Sequence, residues 1–139
     1  MFTKDEMKGI MRFAKPRIKI GKDEKYKVGY YVQVNVTIRG ELLFLEAVER
    51  TLLQYEISCD LKEYESRARP KPILTIRGVK ELTKLCDKFV IVDGMPILSS
   101  HGKWYNFVRV LDLMNERRHR TDDGFMEIVS IVGGVEWNS

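Results

Sequence analysis

The sequence predicts an α+β fold in which a four-stranded antiparallel sheet carries helices on one face. Three observations predict it. Residues 28–38 alternate strictly between apolar and polar side chains, residues 41–55 repeat their apolar side chains at helical spacing, and the chain reads α-β-β-α-β-β-α followed by two more helices. With 139 residues, the chain is expected to form one domain, 1–139, around a single core.

Each element has a local reason. Thr3-Lys4-Asp5-Glu6 reads as a capping box, so a helix is expected from there to about Ala14, closed before Pro16. Residues 17–20 alternate and predict a short half-buried strand, and residues 21–27 a polar, basic turn. In the next strand Val28, Tyr30, Val32, Val34, Val36 and Ile38 share one face, and Gly29, Tyr31, Gln33, Asn35 and Thr37 the other. The amphipathic helix that follows turns Leu42, Leu45, Val48, Leu52 and Leu53 inward. Residues 57–64 alternate again, with Ile57, Cys59 and Leu61 inward and Ser58, Asp60, Lys62 and Tyr64 outward. A basic loop then leads to a strand at 73–77, with Leu74 and Ile76 inward. Helices are expected at 79–89, at 102–117 after Pro96 and Ser99-Ser100, and from a Thr121-Asp122-Asp123 cap to Ile131, stopped by Gly133-Gly134.

The composition excludes several classes. No apolar run reaches the roughly 18 residues of a membrane span, and Met1 to Glu6 has no secretory apolar region. An intracellular, reducing location is expected, because Cys59 and Cys86 are too few for a disulfide scaffold. These two with His101 and His119 show no metal-ligand spacing, so the cysteines are read as small buried hydrophobes and no metal or cofactor is expected. There is no glycine-rich phosphate loop. Trp104 and Tyr105 open an amphipathic helix and are read as core, whereas the outward Tyr31 and Tyr64 are candidates for stacking on bases.

The charge is uneven. The chain has 24 Lys+Arg against 20 Asp+Glu, net +4. Arg12, Lys15, Arg17, Lys19, Lys22, Lys25 and Lys27 face only Asp23 and Glu24; further clusters are Arg67, Arg69 and Lys71, and Arg117, Arg118, His119 and Arg120, while residues 41–65 are acidic on balance. Three basic clusters in one small domain point to a nucleic-acid partner.

The order of elements resembles one repeat of the LAGLIDADG homing endonucleases. Residues Met7-Lys8-Gly9-Ile10-Met11-Arg12-Phe13-Ala14-Lys15 lie where that family has its motif helix, followed by Arg17-Ile18-Lys19-Ile20 as first strand. Gly94-Met95-Pro96-Ile97-Leu98 with Lys103-Trp104-Tyr105-Asn106-Phe107 is similar to the family's proline-leucine turn and basic residue. Residues 118–128, containing His119, Thr121 and Gly124, resemble the segment that opens its last helix.

The departures matter as much. The resemblance implies a metal-binding aspartate at the end of the motif helix, but Ala14 stands there, and Arg12 stands where an earlier acid is common. A methyl group cannot ligate Mg²⁺, which takes oxygen donors. Gly9 keeps one close-approach position of the family's helix pair and Phe13 fills the second, which makes Gly9 and Phe13 the expected partner interface and argues against a tight symmetric dimer.

The expected function is therefore non-catalytic binding of nucleic acid, with structured RNA in an organellar ribosome or intron ribonucleoprotein favoured over duplex DNA. Arg17, Lys19, Tyr31, Gln33, Asn35, Lys62 and Arg77 would form the contact face. Lys22, Lys25, Lys27, Arg67, Arg69, Lys71 and Lys103 would meet phosphates. The setting would be a mitochondrion, a plastid or a prokaryotic cytoplasm, with a second LAGLIDADG-like chain or other proteins of a complex as partners. One alternative is a Mg²⁺-dependent DNA endonuclease whose acid comes from Asp5, Glu6, Asp23 or a partner; another is a protein–protein module.

Overall fold

The computed structural model describes residues 1–96 and 103–133. The alternating segments pair as strands β1 (Lys15–Lys22), β2 (Tyr30–Arg39), β3 (Asp60–Lys62) and β4 (Ile73–Arg77), in the antiparallel order β1-β2-β4-β3. The helices are α1 (Lys4–Ile10), α2 (Leu42–Gln54), α3 (Val79–Phe89), α4 (Lys103–Asn115) and α5 (Asp122–Val132), with a 3-10 turn at Arg118–Arg120 between the last two.

Register fixes which side chains share a face. Ile18 opposes Val34, Ile20 opposes Val32, Val36 opposes Ile76, and Leu74 sits between Ile38 and Leu61. This inner face packs with Leu45, Val48 and Leu52 of α2, Leu82, Leu85 and Phe89 of α3 and Phe107 of α4 in one continuous core. Among the described residues, none of the helices that build this core lies on the opposite face. Pro16 is accommodated because β1 is an edge strand, where one missing N–H is tolerated.

The capping box forms as expected, with the Glu6 N–H donating to Thr3 Oγ1 (3.1 Å) and the Thr3 N–H to Glu6 Oε1 (2.9 Å). At the other end of the chain the Gly124 N–H donates to Thr121 Oγ1 (3.1 Å), and α5 ends on Gly133 in the left-handed region at φ 80°. The Trp104 indole N–H donates to the Met11 carbonyl (3.2 Å), tying α4 to the crossing from α1 into β1.

Several expectations need correction. α1 ends at Ile10 rather than Ala14: the Arg12 and Phe13 N–H groups bond three residues back, to Gly9 and Ile10, and this tightened turn lets the chain reverse into β1. Leu53 is 58% exposed, because Leu52 already occupies the core stripe and Leu53 lies a further 100° round the helix. α4 stops at Asn115, short of the expected 117, because Arg117 takes the left-handed conformation (φ 59°) that opens the 3-10 turn. A small hairpin, β5 (Ile91–Val92) with β6 (Met95–Pro96), was not anticipated. Ile97, Leu98, Ser99, Ser100, His101, Gly102 and Gly134 lie outside the described residues.

Candidate nucleic-acid interface

The uncovered face of the sheet forms rows of polar side chains set by strand pairing. One row runs Arg17–Asn35–Arg77, a second Lys19–Gln33, and a third Lys15–Thr37–Thr75–Asp60. Lys62 continues this face on β3. Arg17, Lys19, Gln33, Lys62 and Arg77 are exposed, and Asn35 is half-buried. Asn35 Oδ1 and Thr37 Oγ1 are buried with no hydrogen-bond partner among the described residues.

Two members of this face are already engaged. Arg77 pairs with Asp60 at 3.4 Å, an exposed and therefore weak bond. Tyr31 lies opposite Gly21 and rests its ring on it; a Cβ on that glycine would fall 2.1 Å from the ring. This close approach keeps Tyr31 half-buried instead of standing free to stack. Tyr64 is exposed.

The basic loops flank the face. Lys22 closes β1, and Lys25 and Lys27 sit in an exposed turn organised by Asp23, whose Oδ1 accepts the Lys25 N–H at 3.0 Å. Arg67, Arg69 and Lys71 are exposed on the β3–β4 loop, which is ordered by Ser66 and Arg69 exchanging backbone bonds and by the Glu65 N–H donating to the Lys71 carbonyl.

Where the face meets the start of α4, the structure brings together a basin of about 520 Å³ lined by Lys15, Pro16, Arg17, Arg39, Glu65, Arg69 and Lys103. Arg39 donates from Nε and Nη2 to the two Glu65 oxygens, both at 2.9 Å. That pairing holds the Glu65 carboxyl below its usual range, with Arg39, Arg69 and Arg17 adding charge attraction. Lys15 and Arg39 were not among the expected contacts. Strand parity would have found both: Lys15 shares the phase of Arg17 and Lys19, and Arg39 that of Gln33 and Asn35.

These residues do not fit a divalent metal. Ala14 is 7% exposed and belongs to the core. The basin's carboxylate is already held by a guanidinium, and each further unit charge of like sign at ~8 Å opposes a cation by ~2 kcal/mol per charge at an effective dielectric of ~20. Among the described residues no three His, Cys, Asp or Glu side chains converge on a point. Asp5 and Glu6 stand in the first turn of α1, at the other end of the helix from Ala14, and Asp23 lies beyond the far end of β1.

Other side chains have structural surroundings. Trp104 is buried, while Tyr105 is exposed and carries Arg109 over its ring at 5.7 Å, which corrects its expected place in the core. Burial pushes the thiols of Cys59 and Cys86 up to about 12, leaving poor nucleophiles and poor metal ligands. Arg118 pairs with Glu127 at 3.3 Å, and the His119 imidazole is pushed below its usual range by burial and by Arg120. Phe13 is 82% exposed, in the turn after α1 rather than on the helix, and Gly9 is half-buried. None of the helices is long and apolar enough to cross a membrane, among the described residues.

No protein-family profile matches the sequence, and no curated protein is similar to it. Solved structures are similar in fold. I-SmaMI, a LAGLIDADG homing endonuclease bound to cleaved DNA, superposes with a TM-score of 0.75 at 22% identity, over 94% of this chain and 43% of that one. The homing endonuclease I-TnaI gives 0.73 at 17% identity, over 94% and 85%. I-CpaMI, bound to uncleaved DNA, gives 0.75 at 16%, over 94% and 44%. The chain thus spans less than half the length of I-SmaMI and I-CpaMI. Element order, sheet order and these superpositions together give one result: the chain has the LAGLIDADG homing-endonuclease fold.

Proposed function

We propose that the chain is a non-catalytic nucleic-acid-binding protein on this scaffold, with structured RNA of an organellar ribosome or intron ribonucleoprotein as its ligand. The observation that carries the reading is the pairing of a polar, cationic sheet face with a buried methyl group at Ala14, where the resemblance implies a metal-binding aspartate. Arg17, Lys19, Gln33 and Lys62 project from the face, and the exposed Gln33 amide and Arg17 guanidinium are groups that can read base edges. The loops bearing Lys22, Lys25, Lys27, Arg67, Arg69 and Lys71 supply salt-dependent phosphate contacts.

The lean to RNA rests on the lost chemistry at Ala14 and on the exposed basic loops. An A-form helix is met by shape and backbone contacts rather than through its narrow major groove, and loops carrying exposed Lys and Arg suit such contacts. The proposed setting is a mitochondrion, a plastid or a prokaryotic cytoplasm, with a second LAGLIDADG-like chain through Gly9 and Phe13, or other proteins of a complex, as partners. Duplex DNA is the second reading, favoured by the DNA held in the I-SmaMI and I-CpaMI structures.

Binding of the full chain to labelled structured RNA and duplex DNA, across a salt series with Mg²⁺, tests this. Tight, salt-dependent RNA binding without cutting is expected. A preference for short duplex DNA overturns the RNA assignment, Mg²⁺-dependent cutting overturns the non-catalytic one, and absence of binding at low salt leaves the protein–protein module.

A further inference from the structure

We infer that the basin between β1, the β3–β4 loop and the start of α4 is a metal-independent phosphate-binding pocket, seating one phosphate group of a nucleic-acid strand on Lys15, Arg17, Arg39, Arg69 and Lys103. The source of the phosphate rests on the nucleic-acid reading; the chemistry of the pocket does not.

Five cations and one carboxylate line about 520 Å³, leaving a strongly positive cleft with room for a phosphate and a few waters. The carboxylate does not oppose an anion as a free one would, because both of its oxygens accept from Arg39. That bond holds the planar guanidinium in one orientation. Two of its five N–H donors are engaged, and three remain for the oxygens of a ligand, which match a guanidinium fork in geometry. Arg69 and Lys103 are exposed and approach from two different elements, so the pocket is assembled only when the β3–β4 loop and α4 are both in place. A hydrolytic metal centre gathers carboxylates around cations. This basin has the inverse arrangement, cations around a neutralised carboxylate, and so selects the anion without the metal.

The test is calorimetric titration of inorganic phosphate into the full chain in the presence of a chelator. Two variants are compared: R69A/K103A, on the rim of the basin, and K80A/K88A, which removes the same charge from exposed positions on α3. Phosphate is expected to bind the parent chain, to weaken about tenfold or more in R69A/K103A, and to change less than about twofold in K80A/K88A. Equal weakening in both variants, or no binding to the parent at millimolar phosphate, overturns the pocket. A trinucleotide with and without a 5′-phosphate then separates the sources. Tighter binding of the phosphorylated form assigns a strand end, and equal binding that is lost in R69A/K103A assigns an internal diester. Phosphate binding without any RNA or DNA binding would reject the proposed function and keep the pocket.

Discussion

The basin beside β1 and the 3-10 turn at Arg118–Arg120 use the same residue types and put them to opposite ends. In the basin, cations from β1, β2, the β3–β4 loop and α4 converge, and the one pairing present orients Arg39 instead of removing it from use. In the turn, Arg118 reaches Glu127, its carbonyl accepts the Thr121 hydroxyl at 2.8 Å, and Gly124 packs directly on its backbone. The turn reads as one basic cluster in sequence, whereas the basin draws on two such clusters and on Arg39 and Lys103, which belong to neither. The difference teaches that cations converge on shared space where separate elements carry them, whereas in the turn, among the described residues, only Arg118 is paired and Arg117 and Arg120 stand exposed along a single segment.

The largest effect expected from this contrast is on binding. Removing Arg17, Arg69 and Lys103 together should weaken nucleic-acid affinity roughly a hundredfold, about 2.7 kcal/mol, and lower the slope against log salt by up to ~2–3 units for duplex DNA. Removing Arg117 and Arg120 should cost less than about threefold. Fluorescence anisotropy across a salt series reads both, and equal losses would break the distinction.

Gly124→Ala probes the turn from the other side. Its Cβ would lie 1.9 Å from the Arg118 carbonyl oxygen, a backbone contact that cannot yield cheaply. A loss of about 2 kcal/mol in denaturant stability is expected, with phosphate binding unchanged at temperatures where the chain is folded. A variant as stable as the parent would show that the turn is looser than its packing implies.

Trp104→Phe removes the N–H bond to Met11 that fixes α4, and with it the adjacent Lys103, against the chain entering β1. A stability loss of about 1 kcal/mol is expected, with phosphate affinity falling more than it does for Arg118→Ala. The Arg118–Glu127 pair is partly exposed, and its loss should cost less than about 0.5 kcal/mol.

The smallest effect is on pH dependence. Arg39 lowers the Glu65 pKa in the folded chain, so the pair's contribution is complete above the ordinary carboxylate value of 4.5 and is lost as pH falls through the lower folded value. Glu65→Gln should flatten that acid limb in melting curves, and an unchanged limb would mean that other carboxylates govern it.

Much of this was legible in the sequence, because strand and helix periodicities are local. Period-2 alternation placed Gln33, Asn35, Lys62 and Arg77 on one face, and the phase of the apolar residues placed Val34 and Leu74 on the other, since burying one face of a pleated strand forces the alternate side chains outward. The capping signals at Thr3 and Thr121 held for the same reason: their hydrogen bonds reach only three residues. Leu53 failed because a helical stripe predicts a direction and not how wide a sector the neighbouring elements cover. Only the tertiary structure could decide that Tyr31 lies down on Gly21, that Arg77 meets Asp60, and that Lys15, Arg39 and Lys103 share a basin with Arg69. Such encounters join residues far apart in the chain, and no local pattern encodes the distance between them. The physical division is between what a few consecutive residues can satisfy alone and what requires the sheet order β1-β2-β4-β3 to exist first.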